Sequence, residues 1–318
     1  MRLLETSNPS SAPQLREFIG SHIPPYAILS HTWHDDEVTL QQLTSCTADT
    51  ASLQAKSGFR KIQQTCALAR SRDALSYAWV DTCCIDKTSS AELSEAINSM
   101  YEFYENAAVC YVYLADLEPG NEDALANTLP QCRWFTRGWT LQELIAPSEV
   151  LFFDKEWRYR GSKRELAELL CSITGIPEAL LQKDAMLSDF AVARRMSWAS
   201  MRVTTRVEDM AYCLLGIFEV NMSLIYGEGL KAFERLQTAI VRTTPDLSIF
   251  AWVDDRVPCP EFASVLAEAS RQFARCGDIE VAPGDSIYAN FVITNRGVQL
   301  DASLIHHGSH LNILSERY

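Results

Sequence analysis

Trp134-Phe135-Thr136-Arg137-Gly138-Trp139-Thr140-Leu141-Gln142-Glu143-Leu144 leads through Pro147 into Val150-Leu151-Phe152-Phe153. On one helix, Trp134, Gly138, Leu141 and Ile145 fall at i, i+4, i+7 and i+11, an apolar stripe. Trp139 and Glu143 are i, i+4 neighbours beside it. Pro147 ends the helix, since proline lacks the amide donor that a further turn needs. The apolar run after it predicts a strand buried on both faces. A helix running into such a strand is one unit of an α/β fold.

The same alternation extends upstream. Tyr26-Ala27-Ile28-Leu29-Ser30 follows Pro24-Pro25 and predicts a buried strand, with His31-Thr32-Trp33 at its carboxyl end. Phe59, Ile62, Cys66 and Ala69 mark an amphipathic helix after Gly58. Tyr77 to Asp81 is the next strand. Ser89 and Glu92 have capping-box spacing ahead of Leu93, Ile97, Met100 and Tyr104. Val109 to Leu114 is the third strand. Strands alternating with helices predict a mainly parallel sheet with right-handed crossovers, and ligands there bind beyond the carboxyl ends of the strands. Ahead of this, a helix is expected over Pro13 to Ile19.

From Ser162 the pattern turns helical. Leu166, Leu169, Leu170 and Ile173 form one stripe, and Leu230, Phe233, Leu236 and Ile240 another. Asp189 caps a helix through Met196 and Trp198, and Thr205 with Glu208 has capping-box spacing. After Pro245, strands are expected at Ser248–Val253 and Tyr288–Thr294. The expected division is a first domain over 1–158, a helical annex over 159–245 and a β-rich segment over 246–318 whose end reads as incomplete. Gly227-Glu228-Gly229-Leu230-Lys231-Ala232, with Asp246 beyond, loosely fits a dinucleotide fingerprint. It lies among helices, and Glu228 would repel a pyrophosphate.

The 318-residue chain has the composition of a globular protein, and its net charge of −13 without a basic stripe argues against nucleic acid. No apolar run reaches about 18 residues, so no membrane span is expected. The start turns polar at once and has no signal-peptide core. Cys66, Cys110, Cys171 and Cys213 sit on apolar faces, Cys83 and Cys84 are adjacent, and no C-x-x-C pair occurs. The ten cysteines therefore predict neither a metal site nor disulfides, and a reducing, cytoplasmic setting.

Three stretches together resemble a known family. Tyr26-Ala27-Ile28-Leu29-Ser30-His31-Thr32-Trp33, Trp79-Val80-Asp81-Thr82-Cys83-Cys84-Ile85-Asp86 and Arg137-Gly138-Trp139-Thr140-Leu141-Gln142-Glu143 resemble, in that order, the fungal heterokaryon-incompatibility (HET) domain. Arg194 to Ala199, Thr204 to Asp209 and Tyr226 to Gly229 resemble what commonly follows it. The resemblance implies a module of fungal self/non-self recognition, an innate immunity that ends in programmed cell death. Family members are often joined to a nucleotide-binding oligomerisation domain. This sequence has no G-x-x-x-x-G-K-[ST], so such a receptor would be a separate partner.

HET domains are similar in turn to TIR domains, which are flavodoxin-like, and some of those hydrolyse NAD. Their active glutamate follows a Trp-Cys-x-x-Glu pattern. Trp139-Thr140-Leu141-Gln142-Glu143 has that spacing, with Thr140 in place of the cysteine. The resemblance makes Glu143 the catalytic candidate and NAD the substrate, with no further cofactor, and implies self-association. Splitting the glycosidic bond to nicotinamide needs an anion near the developing oxocarbenium ion in a dry pocket.

Each supporting residue has two readings. Trp33 or Trp139 stacks on a cofactor ring, or is core. Arg137 meets the pyrophosphate, or pairs with Glu143 or Asp81. Ser30 and His31 line the cofactor's path, or His31 is a hydrogen-bonded structural residue. Asp81 accepts from a ribose hydroxyl, or caps the following turn. Cys84 lines the same edge, or with His31 forms a thiol nucleophile and base, a reading that no local signature accompanies. Glu143 itself also reads as a helical carboxylate paired with an arginine. Alongside the NAD hydrolase stands a non-enzymatic death-signalling scaffold.

Overall fold

The computed structural model describes residues 1–6, 13–20, 22–45, 50–120, 124–254, 264–280, 290–294, 297–301, 303–307 and 310–314. The chain divides into two compact units, Met1–Asp184 and Ala185–Tyr318. The first unit thus runs past residue 158, because a further strand and two short helices join it.

The first unit is a seven-stranded sheet of mixed direction flanked by helices. Its strands are β1 (Arg2–Glu5), β2 (Leu15–Glu17), β3 (Ala27–His31), β4 (Tyr77–Trp79), β5 (Val109–Tyr113), β6 (Val150–Phe153) and β7 (Tyr159–Ser162). Their order is β2-β1-β4-β3-β5-β6-β7. The four expected strands are the central ones, and they pair in parallel. Numbered among themselves they run 2-1-3-4, and the order reverses between β3 and β5. All five residues of β3 are buried. A strand between two neighbours, covered on both faces, has no solvent side, so its sequence shows a continuous apolar run.

The edges differ from expectation. β2 stands where a helix over Pro13 to Ile19 was read, since Leu15 pairs with Leu4 of β1. Strands β1 and β7 pair antiparallel to their neighbours, so the sheet is less uniformly parallel than the alternating pattern suggested. Gly161 in β7 has φ +136, and a Cβ there would lie 2.9 Å from Leu166 Cγ, so only glycine fits without displacement.

The helix Ser57–Ser71 buries Phe59, Ile62, Cys66 and Ala69, the stripe read from sequence. Gly58 lets it approach the preceding loop, because a Cβ would meet Glu37 Cα at 2.7 Å. The Ser89 hydroxyl caps the helix Ser90–Asn98 by accepting from the Glu92 amide at 3.3 Å. The Glu92 carboxylate turns instead to the Asp86 amide and to Arg2.

In the second unit, the helix Lys231–Val241 buries Phe233, Leu236 and Ile240 as its stripe predicts, while Leu230 lies before it and is exposed. Two expected caps are replaced by contacts from elsewhere in the unit. The helix Val192–Ser197 is not capped by Asp189. Its Val192 amide donates to Asp246 at 2.7 Å, and its Ala193 amide to Ser248 at 3.0 Å. Glu208 stands at the N-cap of Asp209–Tyr212 without a side-chain cap bond there. Its carboxylate accepts from the amides of Gly227 (2.8 Å) and Gly229 (3.0 Å). Both glycines have positive φ. This nest, the core of the loose dinucleotide fingerprint, is filled by the chain's own carboxylate. Leu247–Phe250 is a 3-10 turn rather than the expected strand start. The β content lies in two hairpins, Asn290–Thr294 with Gly297–Asp301 and Ser303–His307 with His310–Leu314. Tyr288 and Ala289 fall outside the described residues.

Candidate active site

Glu143 lies in the first turn of the helix Thr140–Ile145, every residue of which is buried. The single helix expected from Trp134 to Ile145 is broken. A 3-10 turn, Arg133–Thr136, ends at Arg137 in an extended conformation, and the helix restarts at Thr140. The Thr140 hydroxyl holds the two pieces together, 2.6 Å from the Trp134 carbonyl and 2.9 Å from that of Arg137. The break sets Trp134 into the core, 1% exposed.

From there the Trp134 indole N–H donates to the Ser30 hydroxyl at 2.8 Å, and that hydroxyl donates to the Glu143 carboxylate. Glu143 is 9% exposed. A carboxylate in the first turn of a helix also gains from the positive end of the helix dipole. The neighbouring Tyr104 hydroxyl donates to the Leu29 carbonyl at 3.0 Å. Burial, and then the charge of Glu143, push that hydroxyl well above its ordinary pKa.

The far end of this helix is held by two lysines. Lys163 Nζ donates to the carbonyls of Leu144, at 3.2 Å, and Pro147. Lys183 Nζ donates to Ala146 at 2.8 Å. Cations complement the carbonyl end of a helix. Burial, with the nearby charge of Lys183, lowers Lys163 to about 7. Neither lysine carries a sequence signal, because their target is 16 or more residues away.

At the carboxyl ends of β3 and β4, the Trp33 indole N–H donates to Asp81 at 2.9 Å, and Lys87 Nζ sits 3.5 Å from the centre of the Trp33 ring. Trp33 is 51% exposed, so it is not core. Asp81 Oδ1, Thr82 Oγ1 and Gln142 Nε2 are buried without a hydrogen-bond partner. Buried polar atoms are ordinarily bonded, so such exceptions mark places where water or a ligand group fits.

His31 belongs to a different cluster. Successive residues of a strand point to opposite faces. Ser30 turns to Glu143, and His31 to Glu37, with Nε2 3.5 Å from the carboxylate. The same Glu37 oxygen pairs with Lys61, whose Nζ also donates to the Thr32 carbonyl at 3.2 Å. Burial raises the pKa of Glu37, but the His31 and Lys61 partners outweigh it and hold it at about 2. Cys84 is buried, and its Sγ accepts from the Val80 amide at 3.5 Å, not from His31. The thiol-and-base reading therefore finds no geometry here.

Residues 26–128 match the family described as heterokaryon incompatibility protein (HET). The chain is 47% identical over 247 residues to the vegetative incompatibility protein HET-E-1 of Podospora anserina. The chain carries a heterokaryon-incompatibility domain. The alignment covers 76% of this chain but 18% of that relative. Residues 231–272 match a domain of unknown function (DUF8212). No solved structure matches.

The stretch of the HET domain covered by the family match includes Ser30, His31, Trp33, Asp81 and Cys84; Arg137, Trp139 and Glu143 follow it in the chain. Ser30 and Glu143 are in contact, and so are Trp33 and Asp81. His31 and Cys84 are turned elsewhere. Arg137 and Trp139 are half-buried at the break before the Glu143 helix. Tyr104, Trp134, Glu37, Lys61 and Lys87 were not read as site residues. Trp134 and Tyr104 were assigned to helix stripes, and the others have no motif of their own. Among the described residues no helix is long and apolar enough to cross a membrane, and no group of His, Cys, Asp or Glu is placed to hold a metal. The eight described cysteines are free thiols; Cys46 and Cys259 lie outside the described residues.

Proposed function

We propose that this chain is the cytoplasmic death effector of a fungal self/non-self recognition system, and that it hydrolyses NAD to nicotinamide and ADP-ribose through Glu143. The observation that carries the reading is the Trp134–Ser30–Glu143 relay. It fixes one carboxylate in a low-dielectric setting beside the carboxyl-terminal part of the central strand. Such a carboxylate stabilises an oxocarbenium ion better than one in water, because no solvent must reorganise as charge develops. Nicotinamide departs as a neutral ring with the electrons of its bond to the ribose. Water then adds to the ribose carbon and releases a proton. Trp33, Asp81, Trp139 and Arg137 supply the stacking and polar groups, and the unpartnered Asp81 Oδ1 suits a ribose hydroxyl.

The likeness to TIR domains fits the 2-1-3-4 order of the parallel strands, the order with which flavodoxin-like sheets begin. It fits equally the place of Glu143 on the helix before the fourth of them. By the same likeness the active form is a self-associated one, working with a separate oligomerisation receptor. HET-E-1 is a vegetative incompatibility protein, which supports the cell-death role.

One observation favours a second reading, a non-enzymatic signalling scaffold. Glu143 is 9% exposed and bonded within the core, as a structural carboxylate would be. Incubating the purified protein with NAD and measuring free nicotinamide, over a wide range of protein concentration, separates the two. The enzyme releases nicotinamide with a rate that rises faster than linearly with concentration; the scaffold releases none.

A further inference from the structure

A cleft of about 460 Å³ opens at the carboxyl ends of β3, β5 and β6 against the helix Ser57–Ser71. It lies on the far side of the sheet from Glu143, and no residue of the proposed NAD site lines it. Its place is the point where the strand order reverses, between β3 and β5, where open α/β sheets present a crevice. Its volume lies within the roughly 300–1,000 Å³ typical of small-ligand sites.

The wall is aromatic. Trp157 and Tyr113 stack at 4.6 Å between ring centres and 18° between planes. Trp157 adopts φ +61, a left-handed conformation that a bulky side chain rarely takes. The loop imposes it. The buried Asp154 carboxylate accepts from the amides of Glu156 (2.9 Å) and Arg158 (3.0 Å), and the Asp154 carbonyl accepts from Trp157 itself at 2.9 Å. The Tyr113 hydroxyl donates to the Lys155 carbonyl at 3.1 Å and ties the loop to β5.

The rim is cationic. Arg60 is exposed and has no carboxylate partner among the described residues. Lys155 pairs with Glu118, whose side chain is 73% exposed and readily displaced. Lys61 is already engaged by Glu37. Asp36, the acid on the lining, has its oxygens taken by the Ser57 amide (2.7 Å) and hydroxyl (2.6 Å). Gln63 and Gln64 add amide donors and acceptors.

We propose that this cleft is a second ligand site, for a nucleoside diphosphate, with the base on the Trp157–Tyr113 wall and the phosphates between Arg60 and Lys155. Aromatic faces take any base, and guanidinium and ammonium groups take phosphate. The site does not depend on the Glu143 reading.

The test is titration of the full chain with ADP, adenosine and inorganic phosphate, followed by calorimetry and by quenching of tryptophan fluorescence. ADP binds and quenches, and the other two bind at least tenfold more weakly. The exposed-site pair Arg60→Ala with Lys155→Ala weakens ADP at least tenfold. Trp157→Gly, which accepts the positive φ, weakens ADP and adenosine alike. Glu143→Gln binds ADP as the parent does. No ADP binding by the parent, unaltered binding in the folded Arg60/Lys155 variant, phosphate binding as tight as ADP, or loss of binding in Glu143→Gln would each overturn the assignment.

Discussion

The Ser30 hydroxyl donates to the Glu143 carboxylate across 113 positions of chain, and accepts in turn from the indole of Trp134. A single side chain on the central strand thus sets the position of the carboxylate on which the proposed chemistry rests. The contact can be probed from either end.

Glu143→Gln keeps the size of the side chain and an acceptor for Ser30, and removes the charge. NAD turnover is expected to fall about 10²–10³-fold, the scale of one lost electrostatic contact at a transition state. Replacing a charged acceptor by a neutral one weakens the Ser30 bond by about 1 kcal/mol. The thermal midpoint should then drop by only roughly 2–4 °C. Nicotinamide release and a melting curve on one sample check both. A variant that melts far earlier and aggregates supports the scaffold reading.

Ser30→Ala removes the hydroxyl that both Trp134 and Glu143 use. A buried polar group left without its partner costs roughly 1–3 kcal/mol. Denaturant unfolding should show that loss as a lower midpoint with an unchanged slope. Ser30→Thr keeps the hydroxyl but adds a methyl group in a fully buried strand, and is expected to recover part of the loss.

Glu37 links stability to pH. Its carboxyl is held at about 2 in the folded chain against an ordinary value of 4.5. The unfolded chain therefore binds the proton more readily as pH falls. The stabilisation is fully present above about 4.5 and is lost as pH falls from there towards 2. Unfolding midpoints measured from pH 6 down to pH 3 should decline, and Glu37→Gln should start lower and decline less. Parallel curves for parent and variant would show that the His31–Glu37–Lys61 cluster does not supply the dependence.

Asp246 caps a helix that begins 54 positions earlier, accepting from the Val192 amide. Asp246→Ala removes that bond and the one from the Ser248 amide. Loss of a helix cap costs about 0.5–2 kcal/mol. Asp189→Ala, at the residue that precedes the same helix in sequence, should cost less. Hydrogen exchange at Val192 and Ala193 is the sensitive readout, and it should accelerate in the first variant only.

Apolar runs with no polar interruption arise where both faces of a strand are covered, so the four parallel strands around β3 were legible in the sequence alone. So were the helix stripes at 57–71 and 231–241 and the Ser89 cap, because a helix brings residues three and four apart together by its own geometry. The Trp-x-x-x-Glu spacing pointed to Glu143 in the same local way. What only the tertiary structure decided lies in contacts between distant segments. The outer strands β1, β2 and β7 are short, and their pairing depends on the neighbour that reaches them. Period-two alternation sends Ser30 and His31 to opposite faces, although which face holds the carboxylate depends on the packing of the Thr140–Ile145 helix. Thr140 breaks the helix read from Trp134 onward because its hydroxyl finds the Trp134 carbonyl. Asp246, Lys163 and Lys183 complete helix ends far from them in sequence, and Glu208 fills the glycine nest. Orphan backbone groups accept any suitable partner, near or far in sequence, and only the folded chain selects which one arrives.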